Sequence, residues 1–392
     1  MVAVSATGCM SQPVAQGFVG VASDGDNLYV GSADGRILRL DTDARAGGAA
    51  FPSQGEWEYA ITKPSKGGFG CSTTQSPSII YGDPVLDDGH LCVATYDGKV
   101  LMLDSASREA GLVFPQVRSG EWQYPRSDES VGPIVGSPAV VGDVVYVCSS
   151  KREKGQTSGL VYALDRLYGD ELWVSEPLDG KLWITPAVQG DSLIVSTLGG
   201  VLLQLDASSG AVRPWSYDAG VGFVSSPLVL NGTVYVGSFD RSLYAIPVGA
   251  QSPSWRFQAG NWFWSTPVAV GDTLYATCLD GKLYGLNAAS GVPAWSAPYD
   301  AGSAIAAPPV VVGDRVVVVT KSGDVHVVGL ATGSGVRVPN PSNEKASTCN
   351  AAVVAAPAAH QGIVYIRAQN NTLFGIDPVA ARVISTVSLK ME

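Results

Sequence analysis

The stretch VGDTLYATCLDGKLYGLNAASG, Val270 to Gly291, has close relatives within its own chain. Asn231 to Gly249 reads NGTVYVGSFDRSLYAIPVG, and Asp87 to Ser107 reads DDGHLCVATYDGKVLMLDSAS. In each, a Gly, Asp or Asn turn opens an alternating apolar run. A second turn accepts the positive φ of a tight hairpin, as at Asp97-Gly98 and Asp280-Gly281, and another apolar run follows. Upstream of each copy stands a short apolar run led by proline. These prolines are Pro84, Pro138, Pro186, Pro227, Pro267, Pro309 and Pro357, spaced 54, 48, 41, 40, 42 and 48 residues apart. Val21 fills the same place in an earlier copy that lacks the proline. A period of this size is the signature of a propeller or a solenoid.

Each copy spells four short strands, the fourth often carrying tryptophan: Trp57, Trp122, Trp173, Trp215, Trp255 and Trp295. A single four-stranded sheet leaves its apolar faces wet, whereas a ring of such sheets buries them against one another. Eight copies therefore predict an all-β chain, an eight-bladed β-propeller of four-stranded antiparallel blades. It forms one domain over residues 17–392, behind a tail at residues 1–16. The last copy holds its own fourth strand near Val383 to Leu389, so closure by a shared strand is not expected from the pattern.

Composition narrows the function classes. The 392 residues are 46% hydrophobic and 15% charged, with 46 glycines and 24 prolines. That suits many strands joined by tight turns and is too apolar for a disordered chain. A net charge of −10 repels phosphate backbones, so no nucleic-acid partner is expected. No apolar run is long enough to cross a bilayer as a helix.

The phrase Leu205-Asp206-Ala207-Ser208-Ser209-Gly210 through Trp215 resembles the tryptophan-docking repeat of the PQQ-like, or quinoprotein-type, propellers. Leu286-Asn287-Ala288-Ala289-Ser290-Gly291 through Trp295 matches in the same way. The resemblance runs from about Phe18 to Leu389. It implies that Trp122, Trp173, Trp215, Trp255 and Trp295 are structural, packed between neighbouring blades. Copies seven and eight depart from the pattern, with Gly335-Val336-Arg337-Val338 and Ser385, so weaker docking is expected at that seam. One branch of the family holds quinone-dependent dehydrogenases, which use pyrroloquinoline quinone with calcium and often an adjacent cysteine pair. The other holds non-catalytic, BamB-like envelope lipoproteins. The chain is similar to the second branch in length and compact repeats, and it has no Cys-Cys pair.

The resemblance therefore implies a non-catalytic scaffold of the bacterial cell envelope, monomeric and docking protein partners on its faces and loops. No cofactor is expected under that reading. Pyrroloquinoline quinone with calcium belongs to the alternative, a dehydrogenase or a cofactor-binding relic. A glycan- or peptide-binding propeller is the third reading.

The remaining candidates come from single residues. Ser5-Ala6-Thr7-Gly8-Cys9 reads as the end of a lipoprotein signal, which makes Cys9 a lipidation site and the chain extracytoplasmic, membrane-bound only through that lipid. Cys71 and Cys349 lie in two long inserts that emerge on the same face, and an oxidising compartment would let them form a disulfide. Cys92, Cys148 and Cys278 read as buried thiols. His90 is expected in a turn, His326 in packing and His360 in a first strand, and their spacing does not suit zinc. Aromatics gather just before the proline anchors: Trp183, Phe223, Trp262, Phe263 and Trp264. They read either as packing between blades or as a sticky rim at one mouth of the channel. The charged segment Ser149 to Gly159 replaces a two-residue hairpin in the third copy, as a solvated loop or a contact point.

Overall fold

A computed structural model describes residues 20–32, 35–46, 51–63, 76–106, 114–116, 119–153 and 155–389. Eight four-stranded antiparallel sheets follow one another along the chain, each built from strands consecutive in sequence. The first strands are Val21–Asp24, Val85–Asp87, Ala139–Val141, Ala187–Gln189, Leu228–Leu230, Val268–Val270, Val310–Val312 and Ala358–His360. They begin at or one residue after the repeat anchors. First strands of blades 1 and 2, 2 and 3, 3 and 4, 4 and 5, 7 and 8, and 8 and 1 touch, so the sheets close into a ring. Blade 8 keeps its own fourth strand, Arg382–Ser388, and blade 1 keeps Trp57–Ala60. Gln361 of blade 8 joins the two ends by donating to Gly25 O and Asp26 Oδ1 of blade 1.

The core lies between the blades rather than inside any one of them. Each hydrophobic cluster straddles a junction: Tyr29, Ile37 and Trp57 meet Leu91, Val93 and Leu101 between blades 1 and 2. Ile194, Leu202 and Trp215 meet Val234, Val236 and Tyr244 between blades 4 and 5. Alternation along every strand supplies both faces, because successive side chains point to opposite sides of a sheet.

The small residues before each proline acquire a physical reason here. Gly82 and Gly136 sit where a neighbouring blade's backbone passes, and a Cβ on either would lie 2.4 and 2.1 Å from the carbonyls of Gly136 and Ile184. The next residue forms a girdle of hydrogen bonds from blade to blade. Gly20 N donates to Asp83 Oδ1 at 2.9 Å, Asp83 N to Ser137 Oγ at 2.8 Å, and Ser137 N to Thr185 Oγ1 at 2.8 Å. Thr185 N then donates to Ser226 Oγ at 2.9 Å, and Thr266 Oγ1 to Ser226 O at 3.2 Å.

Farther from the axis, tryptophan does the joining. The indole N–H groups of Trp122, Trp173, Trp215, Trp255 and Trp295 donate to Arg166 O, Ala207 O, Ala250 O, Ala288 O and Leu330 O of the following blade, at 2.8–3.1 Å. In three junctions a second-strand tyrosine donates to the same carbonyl: Tyr146 to Ala207, Tyr235 to Ala288 and Tyr275 to Leu330. Each pair of rings is tilted at 5.6–5.9 Å between centroids. The turn that offers the carbonyl also lays a glycine on the indole. A Cβ on Gly169, Gly210, Gly291 or Gly333 would meet Trp122, Trp173, Trp255 or Trp295 at 2.4–2.6 Å.

The weak seam expected between blades 7 and 8 is replaced by a different solution. Val336 and Ser385 stand where the docking tryptophans would be. An extended apolar cluster fills the blade 7–8 junction, including Val317, Val319, Val327, Val353, Val364, Ile366 and Phe374. With no indole to accommodate from blade 7, blade 8 carries Ala381 at the turn position, at φ 47°.

The indole contact separates two glycines of similar backbone geometry. Gly271 has φ +56° and open space where a Cβ would go, whereas Gly291 has φ +69° and Trp255 at 2.6 Å. Gly271→Ala should cost about 1 kcal/mol for the left-handed backbone alone. Gly291→Ala should cost about 1–3 kcal/mol more, the usual range for overpacking. Urea midpoints of the two variants read the difference, and equal losses would mean that the indole imposes no steric demand.

Candidate functional site

Connections between blades and the turns between second and third strands emerge on one face of the ring, because strand direction alternates within each blade. They are stitched together by backbone bonds: Leu198 N donates to Lys181 O, Phe239 N to Gly222 O, and Leu279 N to Trp262 O. This is the mouth that carries the aromatic candidates.

Register against the proline anchors sorts those candidates into two groups. Four residues before the anchors stand Ile80, Ile134, Leu182, Phe223, Phe263, Ile305 and Val353, all at 2% exposure or less. Phe223 and Phe263 are therefore packing residues and not part of a rim, which corrects the rim reading for these two. Their rings lie against Tyr244 and Tyr284, at 6.1 and 5.6 Å between centroids. One residue later the chain turns its side chain outward, and Tyr81, Trp183 and Trp264 occupy that position in blades 2, 4 and 6. Trp183 is 39% exposed and Trp264 45%. Trp262, half-buried, stacks beside Trp264 with ring centroids 6.4 Å apart and planes 27° from parallel. Phe239 sets its edge on Trp262 at 5.0 Å. Phe239 was not visible as a candidate because it sits in a hairpin turn, away from the proline anchors.

The segment from Ser149 to Gly159 is not a loose loop. It prolongs two strands into the ten-residue ribbon Val144–Glu153 and Gln156–Asp165. Leu178–Asp179 pairs with Ser158 and Gly159. The base is clasped by Ser149 Oγ donating to Val131 O and Leu182 N donating to Ser150 Oγ. Lys151 and Arg152 are exposed near its tip.

Titratable groups follow from burial. Cys92, Cys148 and Cys278 are buried, and loss of water pushes all three thiols well above the ordinary range. Cys349 is a buried free thiol pushed up to about 12, chiefly by desolvation. Cys71, its candidate partner, and Cys9 lie outside the described residues. His90 opens the second strand of blade 2 rather than lying in a turn, and its ring nitrogens contact Asp88 O and Ser119 O. His326 is buried against Tyr299, which holds its Nδ1 at 2.9 Å, and desolvation lowers its pKa. His360 ends the first strand of blade 8.

Among the described residues no three His, Cys, Asp or Glu side chains gather into a set that could hold a metal ion. Titration with pyrroloquinoline quinone and Ca²⁺ is expected to leave tryptophan fluorescence and melting temperature unchanged; a saturable shift in either would show a cofactor site.

Asp83 in the girdle is, among the described residues, a carboxylate displaced upward. Burial raises it from the ordinary 3.8 to about 6, against a lowering bond from Gly20 N–H. Between those values the folded chain holds a proton that the unfolded chain has released, so stability falls as pH rises from about 4 to 6. Asp83→Asn keeps an acceptor for Gly20 and removes that loss. The variant should gain on the wild type across this window, measured by melting temperature at each pH, and parallel curves would refute the assignment.

Comparisons with known proteins agree with this architecture. The family described as outer membrane protein assembly factor BamB matches residues 157–386. Outer membrane protein assembly factor BamB of Shewanella oneidensis is 26% identical over 215 residues, 55% of this chain and 46% of that protein. The chain thus spans about half the length of the curated relative it matches. Among solved structures, BamB from Moraxella catarrhalis superposes with a TM-score of 0.61 at 16% identity, over 89% of this chain and 90% of that one. The computationally designed protein Ika8 superposes at 0.65 with 13% identity, over 92% and 98%.

Proposed function

This chain belongs to the family of outer membrane protein assembly factor BamB, and from that premise we propose that it is a non-catalytic scaffold of the bacterial cell envelope. It docks protein partners on the faces and loops of its ring. The observation that carries the reading is the family match, which runs from the third strand of blade 3 to the fourth strand of blade 8. Two structural features support it. The blades are locked to one another by side-chain-to-backbone bonds, so loops on the mouth are presented from a stiff ring and lose little entropy on binding. The blade 3 ribbon also raises Lys151 and Arg152 clear of a chain whose net charge is −10. A cationic tip on an anionic body favours one approach direction for an acidic partner surface.

The reading places the protein outside the cytoplasm, held by lipid on Cys9, and working as a monomer. The test uses the full chain carrying Lys151→Glu and Arg152→Glu together. Crosslinking in envelope membranes should capture discrete protein partners with the wild type. The double variant should lose them at least tenfold while melting at the same temperature. If the wild type captures no discrete partner, or if charge reversal leaves capture unchanged, the scaffold reading or its ribbon contact fails respectively.

A further inference from the structure

Four large apolar side chains stand exposed on the mouth among the described residues, and all belong to three consecutive blades. Trp183 comes from the connection into blade 4, Val221 and Phe239 from blade 5, and Trp264 from the connection into blade 6. Elsewhere the exposed large apolar residues lie on outer strands or on the opposite face, as at Val212, Val336, Tyr168 and Val292. Among the described residues the mouth therefore concentrates its apolar surface on one arc, which marks it as a recognition site rather than scattered exposure.

The arc is rigid. Trp262 N donates to Asn261 Oδ1 at 2.8 Å, and Trp262 O accepts from Leu279 N at 2.9 Å. Phe239 fixes the Trp262 ring from its edge, and Trp264 lies beside Trp262 with its plane nearly parallel. The two indole planes are thus held within 27° of parallel before any ligand arrives.

The carboxylates beside them are already engaged. Asp240 accepts from Tyr244 Oη at 2.5 Å and pairs with Arg256 at 3.0 Å. Asp280 accepts from Gly260 N at 3.0 Å and from Tyr284 Oη at 2.7 Å. Lys181 Nζ lies over the Trp183 ring at 4.8 Å. No carboxylate is left to anchor a cationic ligand at Trp262 and Trp264. The neutral amide of Asn261 adjoins them, and its nitrogen has no hydrogen-bond partner among the described residues.

We infer that this arc is a carbohydrate-binding platform for a neutral, β-linked pyranose chain. A β-linked hexopyranose is flat and carries axial C–H bonds on both faces. Those positively polarised hydrogens suit the negative face of an indole. Its equatorial hydroxyls point sideways, toward amide and ammonium donors such as Asn261 and Lys181. The exposed indoles Trp183 and Trp264, two blades apart, offer separate faces to sugars of one extended chain.

The experiment titrates the full-length protein with cellohexaose and with the N-acetylglucosamine hexamer. It follows tryptophan fluorescence, then migration through gels containing soluble β-glucan. Saturable binding to at least one oligosaccharide is expected, insensitive to about 0.5 M NaCl because the sugar carries no charge. Trp264→Ala and Trp183→Ala should each weaken it at least tenfold without changing the melting temperature, since both rings are exposed. Absence of binding to either hexamer, or binding that both variants retain, overturns the proposal. So does a salt-sensitive response to oligoarginine with none to sugars, which would make the arc a seat for cations. None of these results depends on whether the ribbon of blade 3 docks a protein.

Discussion

A main-chain carbonyl held between a tyrosine hydroxyl and a tryptophan indole of the preceding blade recurs at Ala207, Ala288 and Leu330. The rest of the ring depends on it. Blades in a propeller share no strands with their neighbours, so their relative position is set largely by side chains. Apolar packing is strong but non-directional and would tolerate sliding. Two donors converging on one oxygen, with a glycine pressed on the indole, leave one registration. A net gain of about 1 kcal/mol per hydrogen bond is modest, yet the greater effect is that a misplaced blade strands buried donors. The Trp57 indole nitrogen is buried without a partner among the described residues.

Where the indole is missing, the geometry around it changes in step. Blade 7 has no tryptophan, and blade 8 accordingly replaces the turn glycine with Ala381, still at positive φ. In the turns of blades 3, 4, 6 and 7 the glycine thus answers two demands, backbone conformation and room for a ring. Valines take over the burial at that junction. β-Branched side chains are stiff and pack well on a pleated surface. The ring closes between blades 8 and 1 by the same means, with Val21, Leu28 and Leu40 against Tyr365 and Leu373, and Gln361 reaching across.

The features legible in the sequence were those that every blade needs. Proline anchors, hairpin turns and tryptophans recur because each junction repeats the same physical problem, so eight blades and their order could be counted. The aromatic cluster was legible only as a cluster. Phe223 and Phe263 differ from Trp183 and Trp264 by one residue of register, and one residue reverses which face a side chain takes. Aligning them on Ile80, Ile134 and Leu182 would have exposed the alternation, since an apolar residue in that place in every blade signals core. Phe239 carried no such signal, because its neighbours in the other hairpins, among them Tyr96, Leu198 and Lys321, share no chemistry. The Glu56 and Glu121 carboxylates also escaped notice. Each precedes a tryptophan and accepts backbone N–H groups, from Asp41 and Ser53 in one blade and from Asp104 and Gln116 in the next.

A ring whose junctions are all locked constrains where function can lie. Side chains that point between blades are committed to packing, and the inner strands are tied by the girdle from Gly20 to Thr266. What remains free to vary is the mouth, where loop and hairpin side chains face solvent. There the chain has lengthened one hairpin into a ribbon on blade 3 and set an apolar arc on blades 4 to 6. The two features differ in chemistry, one cationic and projecting, the other flat and neutral, and they lie on adjacent parts of the same face. A protein surface that met the ribbon could therefore bind beside an occupied arc. The stiffness supplied by the docking tryptophans would hold the distance between the two ligands fixed.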